Sequence, residues 1–91
     1  MLKYNIIIRG EVQGIGYRYF VIRVAQKLKI TGWVRNLSNE DVEVAAEGEK
    51  EVLEDFVNTL KTKHSWARIN DIKISETETK KREYPDFNIT F

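Results

Sequence analysis

The sequence predicts an α+β domain of the split βαβ, ferredoxin-like type, with two helices on one face of an antiparallel sheet. Alternation of apolar and polar residues indicates strands, and apolar residues at helical spacing indicate two amphipathic helices. These elements follow one another as strand, helix, strand, strand, helix, strand, with a short strand at the C-terminus. Because 91 residues suit one hydrophobic core, we expect residues 1–91 to form a single domain.

The first half of the chain contains four of these elements. Alternation over residues 2–9 predicts the first strand. Apolar residues recur at helical spacing from about Tyr17 to Lys29, which predicts the first helix. The strands predicted over Thr31–Leu37 and Val42–Glu47 flank a polar turn at residues 38–41, so they are expected to form a hairpin.

The second half begins with another amphipathic helix, predicted from Glu49 to about Thr62, whose acidic opening turns complement the helix dipole. After a connection at residues 61–67, the segment Arg68–Thr77 has the pattern of a strand. A polar stretch at residues 78–85 then leads to a short final strand over residues 87–91. The two helices are expected to bury six residues against the sheet: Tyr17, Phe20, Val24, Val52, Phe56 and Leu60.

A glycine-rich loop, Gly10–Arg18 (GEVQGIGYR), joins the first strand to the first helix. The first N–H groups of a helix lack partners within the helix and the dipole is positive there, so such a loop attracts anions. Its glycines allow positive φ angles and close approach to a ligand, and Arg18 can add a bidentate guanidinium. The loop therefore has the properties of a phosphate site. Glycine clusters also occur as plain turns, and the loop alone leaves that interpretation open.

Two better-known phosphate loops are excluded at single positions. A Walker A loop requires Lys and then Ser or Thr after its second glycine, where this chain has Ile15. The dinucleotide-binding fingerprint requires a third glycine where this chain has Tyr19.

The predicted topology brings a second polar residue to the loop. In a split βαβ unit the second strand returns parallel to the first, so both strands end at the same edge of the sheet. Asn36 can therefore face the same anion as Arg18. A neutral amide can orient a water for in-line attack but is no strong base, so the substrate must carry a good leaving group. Arg35 should point to the opposite face of the sheet and is not expected to bind phosphate.

Two segments, Gly10–Arg18 and Gly32–Asn36 (GWVRN), resemble the signature segments of the acylphosphatase family, and the resemblance extends to Val42–Gly48 and the closing aromatic strand. It implies that the loop cradles a phosphate, that Arg18 binds it and that Asn36 positions the attacking water. It also implies a metal-free hydrolase of small acyl phosphates that needs no cofactor. Inorganic phosphate would then be a product or an inhibitor. The expected catalytic residues are Arg18 and Asn36, and the expected phosphate-binding residues are Val12, Gln13, Gly14, Ile15, Gly16 and Arg18.

For several other residues we expect no part in catalysis. Glu11 places a carboxylate beside the predicted pocket, where it matters little if the side chain points outward and lowers phosphate affinity if it points inward. His64 and the basic run Lys80–Arg82 are expected to be solvated loop residues. Trp33 and Trp66 are expected to be packing groups, because no basic aromatic surface surrounds them.

Composition excludes several other classes of protein. A net charge of +1 provides no basic surface for nucleic acid, and zero cysteines exclude disulfides and thiolate sites. Without a targeting segment or a membrane-spanning stretch, we expect a cytoplasmic protein. We also expect it to be a monomer. Two alternatives stay open: a non-enzymatic anion-binding module and an RNA-binding module of the same topology. Glu43 and Glu47 count against the second, because RNA-binding sheets need exposed aromatic residues.

Overall fold

The computed structural model describes residues 1–14, 16–64 and 67–90. Its strands and helices follow one another in the predicted order. Ile15, Ser65, Trp66 and Phe91 lie outside these ranges, so the predictions for Ile15, Trp66 and the end of the last strand fall outside the described residues. The elements are β1 (Leu2–Glu11), α1 (Tyr17–Lys27), β2 (Thr31–Asn36), β3 (Val42–Gly48), α2 (Lys50–Thr62), β4 (Arg68–Glu78) and β5 (Phe87–Ile89).

The strand order in the sheet is β4-β1-β3-β2-β5. Strand β3 lies between β1 and β2 and is antiparallel to both, so β1 and β2 run parallel and end at the same edge. The predicted antiparallel arrangement is confirmed for the first four strands. Strand β5 pairs in parallel with β2, from Gly32 opposite Phe87 to Val34 opposite Ile89, which makes the whole sheet mixed.

The two helices cover one face of the sheet, and the core lies between them and the inward residues of the central strands. Of the six residues expected there, Tyr17, Phe56 and Leu60 are buried. The other three, Phe20, Val24 and Val52, are partly buried and pack against the core from its margin. Residues from the sheet complete the core, chiefly Tyr4, Ile6, Ile8, Val34, Val42 and Val44.

Helix α1 ends earlier than the predicted boundary at Lys29. Lys29 has a φ of 59°, a left-handed conformation that cannot continue the helix. Its N–H donates to the carbonyl of Gln26 at 3.1 Å, and the N–H of Ile30 donates to the carbonyl of Ala25 at 2.9 Å. These two bonds form a Schellman motif, which usually has glycine at the left-handed position. Because lysine occupies it here, the sequence carries no signal for this helix end.

Glu47 is fully buried, although strand alternation predicts that it faces away from the core. The segment at residues 79–86 crosses this face of the sheet on its way from β4 to β5. The N–H of Glu83 donates to Glu47 Oε1 at 2.6 Å, and the hydroxyl of Thr31 donates to Oε2 at 2.8 Å. Arg82 donates to the Thr31 hydroxyl at 2.9 Å and to the carbonyl of Glu47 at 3.1 Å. The basic run is exposed, as expected, and Arg82 in addition ties this segment to the sheet through these two hydrogen bonds.

No helix in the described ranges is both long and apolar enough to cross a lipid bilayer.

Candidate active site

The loop between β1 and α1 turns on two glycines in left-handed conformations. Gly14 has a φ of 76° and Gly16, the N-cap of α1, has a φ of 75°. A Cβ atom at either position would meet no other atom within 4 Å, so the backbone angle, not the space, favours glycine. The loop leaves both residues exposed at the start of the helix. Ile15 between them lies outside the described residues.

A cavity of about 90 Å³ opens between this loop, the first turn of α1 and the end of β2. This volume is on the scale of about three water molecules in the liquid, which suits a phosphoryl group. The cavity brings together Arg18 and Asn36 with the described members of the predicted phosphate-binding set. Its lining residues are Val12, Gln13, Gly14, Gly16, Tyr17, Arg18, Tyr19 and Asn36.

The backbone at the start of α1 makes the cavity attractive to anions. The N–H groups of Tyr17, Arg18 and Tyr19 occupy the first turn, where an α-helix has no internal acceptors to offer them. No acidic side chain lies in this turn, and Gly16 has no side chain with which to cap it. The half-buried Arg18 adds a permanent positive charge to the same cavity. The helix dipole and the guanidinium therefore both favour binding of an anion in the cavity.

Asn36 lines the cavity from the end of β2. Its backbone pairs with Val42 in the β2–β3 ladder, which holds the residue at the end of β2. Its side-chain Oδ1 is buried and has no hydrogen-bond partner among the described residues. A buried carbonyl oxygen left without a donor costs about 1–3 kcal/mol, so the structure does not hold the Asn36 amide in place through its oxygen.

Gln13 uses its side chain to join the loop to the β2–β3 turn. Its Nε2 donates to the carbonyl oxygen of Leu37 at 3.0 Å and to that of Asp41 at 2.9 Å. The side-chain NH₂ group of Gln13 is therefore already engaged, and only the backbone N–H of this residue is left to donate to a phosphate. Both acceptors lie far along the chain, and no local pattern in the sequence indicates this connection.

Val12 and Tyr17 fix the two ends of the loop through the core. Both side chains are only 1% exposed, so Val12 can contribute to the cavity mainly through its backbone. The Tyr17 hydroxyl donates to the carbonyl of Leu60 at 3.2 Å, which ties the first turn of α1 to α2. Burial raises the pKa of Tyr17 well above its ordinary value of 10.0. The phenol therefore stays neutral and acts as a structural anchor.

Two charged residues beside the cavity point away from it. The Glu11 side chain is exposed and lies 3.6 Å from Arg68 Nε, so of the two predicted cases the outward one applies. Arg35 lies on the opposite face of the sheet as predicted, 2.6 Å from Glu43 and with its guanidinium 5.2 Å from the centre of the Trp33 ring.

His64 differs from the expectation of a solvated loop residue. Its ring is half-buried and packs edge-on against Tyr17 and Phe20, with centroid distances of 5.6 and 5.0 Å. Its Nδ1 accepts a hydrogen bond from the N–H of Ala67 at 3.1 Å. The imidazole therefore supports the helix that carries Arg18, and it is absent from the cavity lining. The sequence shows only one histidine in a polar connection, which does not reveal this packing.

Within residues 1–14, 16–64 and 67–90, no group of three His, Asp or Glu side chains comes close enough together to hold a metal ion.

Fold and site together define a class: a split βαβ domain whose first strand-to-helix loop forms a phosphate-sized cavity with an arginine and an asparagine. Residues 4–89 match the family model described as Acylphosphatase. A curated acylphosphatase from Bacillus licheniformis is 42% identical over 91 residues, covering the whole of both chains. The chain therefore belongs to the acylphosphatase family, a family of hydrolases.

Solved structures agree with this assignment. The crystal structure of acylphosphatase from Bacillus subtilis superposes with a TM-score of 0.94 at 38% identity, with full coverage of both chains. The structure of an acylphosphatase from Coxiella burnetii superposes with a TM-score of 0.87 at 31% identity, covering 97% of this chain and 90% of that one.

Proposed function

We propose that the protein hydrolyses the carboxyl–phosphate bond of small acyl phosphates, releasing a carboxylate and inorganic phosphate. One observation supports this activity above the others. Arg18, Asn36 and the first turn of α1 line the same phosphate-sized cavity. An anion donor set and a neutral water-orienting amide are then present around one small volume.

The loop and Arg18 hold the phosphoryl group in this proposal. The backbone N–H groups of Val12, Gln13, Gly14 and Gly16, with those of the first turn of α1, donate to its non-bridging oxygens. Arg18 donates a charge-assisted pair of hydrogen bonds to the same group. These oxygens carry the charge of the phosphoryl-transfer transition state, so fixed donors aimed at them lower the barrier.

Asn36 orients the attacking water. Its side-chain amide belongs to a residue that lines the cavity, and an amide can hydrogen-bond a water in line with the bond to be broken without having to titrate. The water oxygen forms a new bond to phosphorus, and the bond from phosphorus to the acyl oxygen breaks with its electron pair leaving on the carboxylate. The proton lost by the water passes to the phosphate or to solvent. A carboxylate is a weak base and departs without a general acid.

The activity is tested with benzoyl phosphate, whose hydrolysis is followed by absorbance. Wild type should turn over, and Arg18→Ala should lower kcat by about 10²-fold or more, the typical effect of deleting one transition-state donor. Arg35→Ala is the matched control, since it removes the same kind of side chain from the other face of the sheet and should retain activity. Equal activity of Arg18→Ala and Arg35→Ala would reject the assigned site.

Asn36→Ala separates rate from binding. It should lower kcat on the order of 10²-fold, because a misplaced nucleophile loses most of the benefit of orientation. Its affinity for inorganic phosphate, measured as competitive inhibition or by calorimetry, should stay close to that of wild type. Loss of phosphate binding in this variant would contradict the water-orienting role. A wild type that binds phosphate and hydrolyses no acyl phosphate would be a non-enzymatic anion-binding module instead.

A further inference from the structure

The cavity opens to the surface, where its lining residues Gly14, Gly16 and Tyr19 are exposed. An acyl phosphate whose phosphoryl group lies at the first turn of α1 can extend its acyl group toward this opening. There the acyl group would contact side chains that line the cavity and also reach solvent.

Tyr19 is the one described lining residue with an exposed side chain. Its relative exposure is 62%, whereas Val12 and Tyr17 are buried and the side chains of Gln13, Arg18 and Asn36 are at least partly buried. Gly14 and Gly16 have no side chain to offer. Single exposed apolar residues are ordinary on a protein surface, and Ile74 on β4 is another at 43%. The position of Tyr19 at the mouth of the cavity distinguishes it.

We propose that Tyr19 binds the acyl group of the substrate and makes the enzyme select aromatic acyl phosphates over small aliphatic ones. This inference rests on the proposed function. Tyr19 follows Arg18 in the first turn of α1 and lines the same cavity, so its exposed phenol ring is available to a group that extends from the phosphoryl site. An aryl ring can pack against the phenol ring in an offset or edge-on arrangement, whereas an acetyl group is too small to gain much from it.

The expected effect follows from the strength of aromatic pairs. Replacing Tyr19 by alanine should lower kcat/KM for benzoyl phosphate about three- to tenfold, which is the range that one aromatic pair provides. The change should appear mainly in KM, because the ring contacts the acyl group equally in the bound substrate and in the transition state. Acetyl phosphate should lose less, so the ratio of the two kcat/KM values should fall.

The experiment measures kcat and KM with benzoyl and acetyl phosphate for wild type, Tyr19→Ala, Tyr19→Phe and Ile74→Ala, each checked for folding by thermal unfolding. Tyr19→Phe keeps the aromatic face and should keep the wild-type ratio. Ile74→Ala removes an exposed apolar side chain far from the cavity and should also keep it. Both results together with a lower ratio in Tyr19→Ala would support the inference.

Two results would overturn the role of Tyr19 while leaving the proposed function intact. One is a wild-type ratio in Tyr19→Ala. The other is an equal loss in Tyr19→Phe and Tyr19→Ala, which would assign the effect to the hydroxyl group. If wild type hydrolyses neither compound, the proposed function fails and this inference fails with it.

Discussion

Replacing Gln13 by alanine should release the glycine-rich loop at residues 10–18 from the β2–β3 turn. The side chain donates to two carbonyl oxygens of that turn, those of Leu37 and Asp41, at 3.0 and 2.9 Å. The same turn follows directly on Asn36 at the end of β2. The two bonds therefore hold the loop at a constant position relative to Asn36, which the proposed mechanism requires.

The size of the effect follows from the hydrogen bonds that remain. Two side-chain bonds together contribute about 1–3 kcal/mol to the free energy of unfolding. The lower half of this range applies, because each carbonyl keeps a backbone donor: Glu40 N–H on Leu37 O at 3.1 Å and Leu37 N–H on Asp41 O at 2.8 Å. A loss of about 1–2 kcal/mol corresponds to roughly 4–16 °C in Tm for a domain of this size.

Gln13→Glu sharpens the test because it conserves the shape of the side chain. At neutral pH the carboxylate has no proton to donate, and it would set a negative charge against two carbonyl oxygens. It should therefore destabilise the protein more than Gln13→Ala does. Gln26 on the exposed surface of α1 provides the matched control, and Gln26→Ala should unfold close to wild type.

The assay combines urea unfolding with steady-state kinetics on benzoyl phosphate. Both Gln13 variants should also lower kcat, since the loop and Asn36 are no longer held together, and a misplacement of about 1 Å is enough to slow a positioned reaction. If Gln13→Glu unfolds at the same urea concentration as Gln26→Ala, the two hydrogen bonds do not contribute as described. If kcat is unchanged despite a loss of stability, the connection stabilises the fold without positioning the site.

Two further predictions concern buried polar groups. The neutral form of Tyr17 is favoured by folding because burial raises its pKa, so its contribution should be complete below pH 10 and decrease as the pH rises above 10. In Tyr17→Phe, the free energy of unfolding measured with urea should decrease less steeply between about pH 9 and 11. Part of the slope should remain because the pKa of Tyr4 is also raised, chiefly by burial. An unchanged slope would refute the assignment to Tyr17. Glu47→Gln should lower the free energy of unfolding by about 1.5–3 kcal/mol. Both oxygens of the buried Glu47 carboxylate accept hydrogen bonds, whereas the NH₂ group of glutamine cannot accept one. The same change at the exposed Glu78 is its control, and equal stability of the two variants would contradict the buried role of Glu47.

Much of the site can be predicted from the sequence, because its geometry follows from local patterns and one topological rule. Alternation places Leu2, Tyr4, Ile6 and Ile8 on one face of β1, and the helical period places Tyr17 under α1. A strand, a crossing helix and a parallel returning strand then bring Arg18 and Asn36 to one edge of the sheet. Arg18 and Asn36 do line one cavity, and predicting this requires no knowledge of long-range side-chain contacts.

The connections made by long-range polar contacts cannot be predicted in this way. Gln13 looks like one more loop residue, and its two acceptors lie 24 and 28 positions away. Tyr19 looks like any surface residue of a helix, and only the folded structure places it in the lining of the cavity.

Patterns of neighbouring residues were enough to predict the order and type of the elements, the inward faces and the edge of the sheet at which Arg18 and Asn36 meet, because each of these depends on local periodicity and on the order of the elements. Three features became visible in the folded chain alone: Glu47 is buried beneath residues 79–86, β5 joins β2 in parallel, and His64 packs against α1. In each of these cases the partners are distant in sequence, and a pattern of neighbours contains no information about which distant group a residue will contact.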